Sequence, residues 1–304
     1  MGGSATAQTI ASFNAPGAGT GVNQGTFAES INPAGVIVGY YVDDSSAYHG
    51  FLRAPGGKFT SFEAPGAGTG SGQGTFANSV NPAQAIAGSY SDTNDVIHGF
   101  LRAPGGTFTS FDAPGAGTGS GRGTFANSIN LAQAIAGDYS DDDYVYHGFL
   151  RAPDCAITVF NVPGAGTGIG QGTFLCSGCL NPEGAITGAY IDPSGALHGF
   201  LRAPGGSFTK FDVPEAGTGE GQGTLPGAIN LAGAVTGTYV DASGAYHGFL
   251  RAPNGAISTF NAPGAGTGNG QGTIPDSNNP IDAITGYYAD GSGAYHGFLR
   301  IPSP

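Results

Sequence analysis

The pentapeptide His-Gly-Phe-Leu-Arg occurs six times, at His49, His98, His147, His198, His247 and His296, and these are the only histidines in the chain. Successive copies lie 49, 49, 51, 49 and 49 residues apart. A chain that repeats at a fixed period folds as copies of one supersecondary unit, because a single unit cannot bury its apolar face alone. A period of 49 residues suits a four-stranded propeller blade and is too long for one coil of a β-helix.

Within each unit four strand-like runs recur. In the second they are Thr75-Phe-Ala-Asn-Ser-Val-Asn81, Ala85-Ile-Ala-Gly-Ser-Tyr-Ser-Asp92, Ile97-His-Gly-Phe-Leu-Arg102 and Thr107-Phe-Thr-Ser-Phe111, each ended by turn residues. A glycine-rich stretch such as Ala64 to Gly70 then crosses to the next unit. The chain opens on Gln8 to Phe13, which aligns with a fourth strand, and ends just after a third strand, Tyr295 to Arg300. The expected fold is therefore all-β: one six-bladed propeller domain over residues 1–304, its four-stranded antiparallel blades spanning about 25–63, 74–112, 123–161, 172–212, 223–261 and 272–304 plus 8–14. The N-terminal strand completes the last blade, covering sheet edges and tying down both ends. Pro226 and Pro275 fall in first strands, which places those strands at the edge facing the channel. The glycines that recur midway through the second strand, Gly39 to Gly286, are expected where a neighbouring blade approaches closely.

With 58 glycines, 20 prolines, 19 phenylalanines and no tryptophan, the chain has the punctuation and packing residues of many short strands. Phe, Tyr and Ile return to the same repeat positions, which disordered low-complexity sequence does not do. A net charge of −12 with only nine Lys plus Arg leaves no basic face for nucleic acid or an anionic membrane. No apolar run reaches the roughly 18 residues of a membrane span. Met1-Gly2-Gly3-Ser4 reads as a remnant left where an export signal was removed.

Six residues before every repeat histidine stands an aspartate: Asp43, Asp92, Asp141, Asp192, Asp241 and Asp290. Such a pair could be half of a catalytic triad, but no serine or cysteine nucleophile recurs beside it. The pairs are read as structural hydrogen bonds across a hairpin end, with no catalytic residue assigned. Tyr41, Tyr90, Tyr139, Tyr190, Tyr239 and Tyr288 belong to the packing, and the arginines from Arg53 to Arg300 are expected pinned between blades or at a rim. Histidines so far from the axis cannot share one metal ion. The acidic turns Asp43-Asp44 and Asp141-Asp-Asp143 offer oxygen ligands that suit calcium, without an EF-hand spacing, so no cofactor is required and calcium is the only candidate. The Gly-x-Gly crossovers lack the following helix of a phosphate loop.

Function breaks the symmetry of a repeat, so positions where the copies differ are the candidate ligand-binding residues. On the first strand Glu29, Asn78, Asn127, Gly227 and Asp276 are equivalent; in the crossover Gln24, Gln73, Arg122, Gln171, Gln222 and Gln271 are. Glu29, Asn78, Asn127, Asp276, Arg122, Gln73 and Gln171 are expected to line one face, where crossovers meet the aspartate turns. Cys176 and Cys179 sit in the insertion that makes the single 51-residue spacing and are expected to form a small disulfide in an oxidising compartment, with Cys155 left over.

The Gly-x-Tyr-x-Asp block, the His-Gly-Phe-Leu that follows it and the segment Ile31 to Gly35 together resemble the bacterial extracellular repeats called HAF repeats. The resemblance spans all six units and implies an exported bacterial protein of propeller-like fold, extracellular or periplasmic, with no catalytic assignment. The expected function is a secreted, multivalent binding or surface-associated module, its partner a cell-surface or extracellular polysaccharide. The alternatives are a lyase or hydrolase working at the channel mouth with Glu29, Asp276 and Arg122, and a self-assembling structural protein.

Overall fold

Residues 12–302 are described in the computed structural model, and they hold twenty-three β-strands and no helix. In blade 1, β1 (Gly25–Ile31) pairs antiparallel with β2 (Ile37–Val42), β2 with β3 (Tyr48–Arg53), and β3 with β4 (Phe59–Phe62). The first strands of the next five blades are β5 (Gly74–Val80), β9 (Gly123–Ile129), β13 (Gly172–Leu180), β17 (Gly223–Ile229) and β21 (Gly272–Asn278). Blade 6 continues with β22 (Ile284–Ala289) and β23 (Tyr295–Arg300). The fold is a six-bladed β-propeller. The closing strand expected at 8–13 falls largely outside the described residues.

Period-2 alternation fixes what each blade buries. In the third strand Phe51, Phe100, Phe149, Phe200 and Phe249 have no solvent exposure, and burial of such a ring contributes roughly 1.5–3 kcal/mol. The core is a set of clusters between blades: Val38 of blade 1, for example, joins Val80, Ile86, Tyr90 and Phe100 of blade 2. Glycine is required opposite these rings. A Cβ on Gly88 would lie 2.1 Å from the Phe76 carbonyl and 2.6 Å from the Phe100 ring. Both neighbours belong to the glycine's own blade, so the close approach is within the blade and not from the adjoining one, because the third-strand phenylalanine folds over the second strand.

First strands carry a single in-blade partner and turn their free edge to the axis, where Pro226 and Pro275 lose no ladder bond. The ladder slips at one place in each blade, between Ala28 and Ser30, Ala77 and Ser79, Pro226 and Ala228, and Pro275 and Ser277. The residue skipped is Glu29, Asn78, Gly227 or Asp276; in blade 3 it is Asn127. The variable first-strand site is thus a β-bulge, a device that turns a side chain out of the alternation. In blade 4 the slip runs from Leu175 to Leu180, so Cys176-Ser177-Gly178 replaces a single bulge residue, and Gly178 bridges to Ala228 of blade 5.

Consecutive blades meet through one parallel bridge at the crossover end, Tyr48 to Gly74, Ile97 to Gly123, Tyr146 to Gly172, Leu197 to Gly223 and Tyr246 to Gly272. Among the described residues no bridge joins Tyr295 to Gly25. A Cβ at Gly25 meets nothing within 4 Å, whereas at Gly74 it would meet the Tyr48 carbonyl at 1.9 Å. The ring therefore has a seam between blades 6 and 1.

Candidate functional site

The aspartate–histidine pairs lie at the crossover end of each blade. Asp43 Oδ1 accepts from the backbone N–H groups of Ser45 and Ala47, which closes the turn, and Oδ2 sits 3.1 Å from His49 Nε2. The second ring nitrogen reaches the residue after the fourth strand: Glu63, Asp112, Asn161, Asp212 and Asn261 in blades 1 to 5. Each tyrosine of the repeat stacks on its histidine, as Tyr41 does on His49 at 4.8 Å between centroids. Burial opposes a charged ring at His49, but hydrogen bonds to Glu63 and Asp43 hold its pKa above the ordinary value. Burial also opposes the charge on Asp43, but the Ser45 hydroxyl, backbone amides and His49 together outweigh it and hold the carboxyl down at about 2. His49, His98, His147, His198, His247 and His296 lie beside their aspartates and tie turn to strand, and in blades 1, 4, 5 and 6 the hydroxyl of Ser45, Ser194, Ser243 or Ser292 donates to the same carboxylate, on the oxygen that faces the turn and not the histidine.

Three further sets of joints recur with the repeat; the threonines and asparagines had no role assigned from the sequence, whereas the arginines were expected between blades or at a rim. Thr75 and Thr124, fully buried, accept from the backbone N–H of Ala64 and Ala113 and pin the start of the crossover. Asn32, Asn81, Asn181 and Asn230 each donate Nδ2 to the backbone carbonyl of the equivalent asparagine one blade on. Arg102 lies over the Phe62 ring of the preceding blade at 4.7 Å, and Arg53 over Phe13 at the same distance. The return of Thr, Asn and Arg at the repeat period was the signal available for them.

The predicted ligand-binding residues separate into two places. At the crossover end, Gln73 accepts from the Gly70 N–H and donates to Asp95, while Gln171 accepts from the Gly168 N–H and donates to the Pro193 carbonyl. Those amides are committed to the crossover. Arg122 instead stacks on Tyr144 at 4.0 Å, with Asp142 4.0 Å away. These three residues and Asp143, Thr167 and Ile169 line a groove of about 470 Å³. Its counterpart two blades on, about 360 Å³, is lined by Gln222, Ala242, Ser243, Tyr246 and Asn269. Of the turn carboxylates considered for calcium, Asp141 Oδ1 accepts from the Asp143 and Val145 N–H groups and Asp142 from that of Thr118. Among the described residues no three His, Cys, Asp or Glu side chains converge as metal ligands do.

The bulge residues lie further along the first strands, towards the axis. Asn78 Nδ2 donates to the Ala126 carbonyl of blade 3, and Asn127 Nδ2 to the Leu175 carbonyl of blade 4, so both serve as clamps between blades. Glu29 and Asp276 face an axial cavity of about 810 Å³ that Phe27, Cys176, Ser177 and Tyr287 also line. Burial raises the pKa of Glu29; burial and the nearby Glu29 charge raise that of Asp276 to about 6. The single face predicted for all seven residues is not formed, because four residues of extended strand separate crossover from bulge. Cys176 and Cys179 are free thiols in place of the expected disulfide, and Cys155 is a third thiol that accepts from Arg151.

No family model and no curated protein matches this chain. Solved structures match at low identity. BP39L lectin from Burkholderia pseudomallei is 12% identical over 88% of this chain and 81% of its own, with a TM-score of 0.49. A mutant of AofleA from Arthrobotrys oligospora is 10% identical over 90% and 83%, with a TM-score of 0.48. Dipeptidyl peptidase 4 of Porphyromonas gingivalis is 9% identical over 88% of this chain and 44% of its own, at 0.42. The six-bladed assignment rests on the strand pairing. No helix of the described residues is long and apolar enough to cross a membrane.

Proposed function

We propose that this protein is a multivalent binding module for an extended polysaccharide at a cell surface or outside the cell, engaged along the crossover face. One observation carries this reading: the same three elements, incoming crossover, aspartate turn and outgoing crossover, enclose a polar groove at blade 3 and again at blade 5. Backbone carbonyls, amides and carboxylates there match sugar hydroxyls, and Tyr144 or Tyr246 offers a flat apolar face to a sugar ring. Repetition around a rigid ring multiplies a weak contact through effective concentration. Export from a bacterium, as the likeness to HAF repeats implies, belongs to the same proposal, as does closure of Cys176 and Cys179 to a disulfide in an oxidising compartment.

Co-sedimentation with cell-wall polysaccharide and a glycan array test it. Arg122→Ala and Tyr144→Ala should each lower binding without lowering the melting temperature. Absence of any binder on the array together with failure to pellet refutes it. A second reading, hydrolysis or elimination in the axial cavity, draws on the facing carboxylates of Glu29 and Asp276; it fails if Glu29→Gln and Asp276→Asn leave a measured activity intact.

A further inference from the structure

Five of the six junctions in this ring serve as internal controls for the sixth. At each of the five, the first residue of a third strand bridges to the glycine that opens the next blade, and the fourth-strand phenylalanine covers the glycine of His-Gly-Phe. At the seam the matching groups are all in place but apart. Gly297 lacks the ring that Phe62 gives Gly50, although the equivalent Phe13 already sits under Arg53 of blade 1. His296 Nε2 keeps Asp290, while its Nδ1 has no partner among the described residues; the position that supplies one elsewhere corresponds to Asn14. Tyr295 and Leu299 are 69% and 51% exposed.

Bulge chemistry distinguishes this junction. Going round the ring, neighbouring bulges carry Glu29 and Asn78, Asn78 and Asn127, Asn127 and Cys176-Ser177-Gly178, that segment and Gly227, and Gly227 and Asp276. Each of these five pairs includes at most one carboxylate. Only Asp276 and Glu29 place an acid on both sides, and that junction is the open one. Where asparagine occupies the bulge, it donates to the carbonyl just before the next bulge; for Asp276 the corresponding acceptor is the Ala28 carbonyl. An ionised aspartate repels both that oxygen and Glu29, whereas a protonated one can donate as asparagine does.

We propose that the seam between blades 6 and 1 is a pH-operated junction, held apart while Glu29 and Asp276 are both ionised and closed in the pattern of the other five once they share a proton. Closure brings Gly297 onto Phe13 and His296 towards Asn14, and shuts the lateral opening of the axial cavity, whose lining includes Phe27, Ile31, Thr285 and Tyr287 from the two sides of the seam. The other titratable groups around the pair are Tyr40 from β2, Tyr287 from β22, Tyr246 from blade 5 and Cys176 from β13, with Tyr295 from β23 packed on Tyr287. Burial raises the phenol pKa values of Tyr40 and Tyr287, which keeps both neutral through neutrality. The raised pKa of Asp276, about 6, puts the transition between neutral and mildly acidic pH. His296, hydrogen-bonded to Asp290, lies at the crossover end of the same seam, away from the bulge pair.

Amide hydrogen exchange on the full chain, corrected for intrinsic rates, reads the junction directly. Segments 25–31 and 293–300 should gain about tenfold or more protection between pH 7.5 and pH 5, while the junction of Ile97 and Gly123 stays constant as the control. Asp276→Asn should be protected at both pH values, and Asp276→Ala, which cannot donate, should lose that gain relative to Asp276→Asn. If Asp276→Asn fails to fold, Glu29→Gln removes the other half of the repulsion and carries the same expectation. Equal protection of the native chain at both pH values overturns the proposal. So does an unchanged pH response in the folded variant, or protection that rises with protein concentration, which would assign the closing surface to a second copy.

Discussion

Replacing Asp138 by asparagine should stabilise the protein at neutral and alkaline pH. Asp138 occupies the second-strand position of Ser89, whose hydroxyl accepts from the Ala126 N–H of the next blade. Asp138 Oδ1 makes the equivalent bond to the Leu175 N–H at 3.1 Å and takes a second from Asn127 at 2.8 Å. The residue is only 6% exposed. Burial outweighs these two bonds and lifts the carboxyl pKa from 3.8 to about 7. A folded-state pKa above the unfolded one means that the native state holds the proton more tightly. Its stabilisation is complete below about pH 4 and declines as pH rises through about 7, by at most about 4 kcal/mol at about 1.4 kcal/mol per pH unit. In Asp138→Asn the side-chain carbonyl still accepts from both donors, and the amide does not titrate. Urea unfolding of native and Asp138→Asn chains at pH 4.5 and pH 8 should show the difference in unfolding free energy moving towards the variant by about 2–4 kcal/mol. A difference constant to within about 0.5 kcal/mol would refute the claim that the carboxylate is buried against its charge.

Two further outcomes follow from the repeat's joints. Gly88→Ala should destabilise by about 3 kcal/mol or more, because the new methyl has the Phe76 carbonyl and the Phe100 ring in its place; thermal unfolding by circular dichroism measures it. Thr124→Val should cost about 1–3 kcal/mol by stranding the Ala113 N–H, which now donates to its hydroxyl at 2.9 Å, and a denaturant midpoint reports the loss.

The six-blade count, the strand boundaries and the hairpin pairing of Asp43 with His49 were legible in the chain, because each follows from a period of 49 residues, a period of two and local turn chemistry. The candidate site was only half legible. Variation between copies drew attention to Glu29, Asn78, Asn127 and Asp276, yet nothing in that variation revealed that the position is a bulge, or that two of its asparagines are spent on carbonyls of the next blade. The crossover glutamines looked like ligands for the same reason and proved to hold their own loops. Those bonds depend on register and on which strands meet, and sequence spacing does not encode a distance between blades.

By itself, the sequence determined the repeat: a unit with Phe inside, Gly beneath it, and His, Asp and Tyr at one end, written six times at nearly constant spacing. Only the tertiary structure decided how the sixth junction differs from the rest. Five pairs of neighbouring blades close on matched groups, and the sixth sets Asp276 against Glu29 across the seam. Residues 247 positions apart become neighbours only when the chain has turned through the whole ring, and the repulsion between them exists only there.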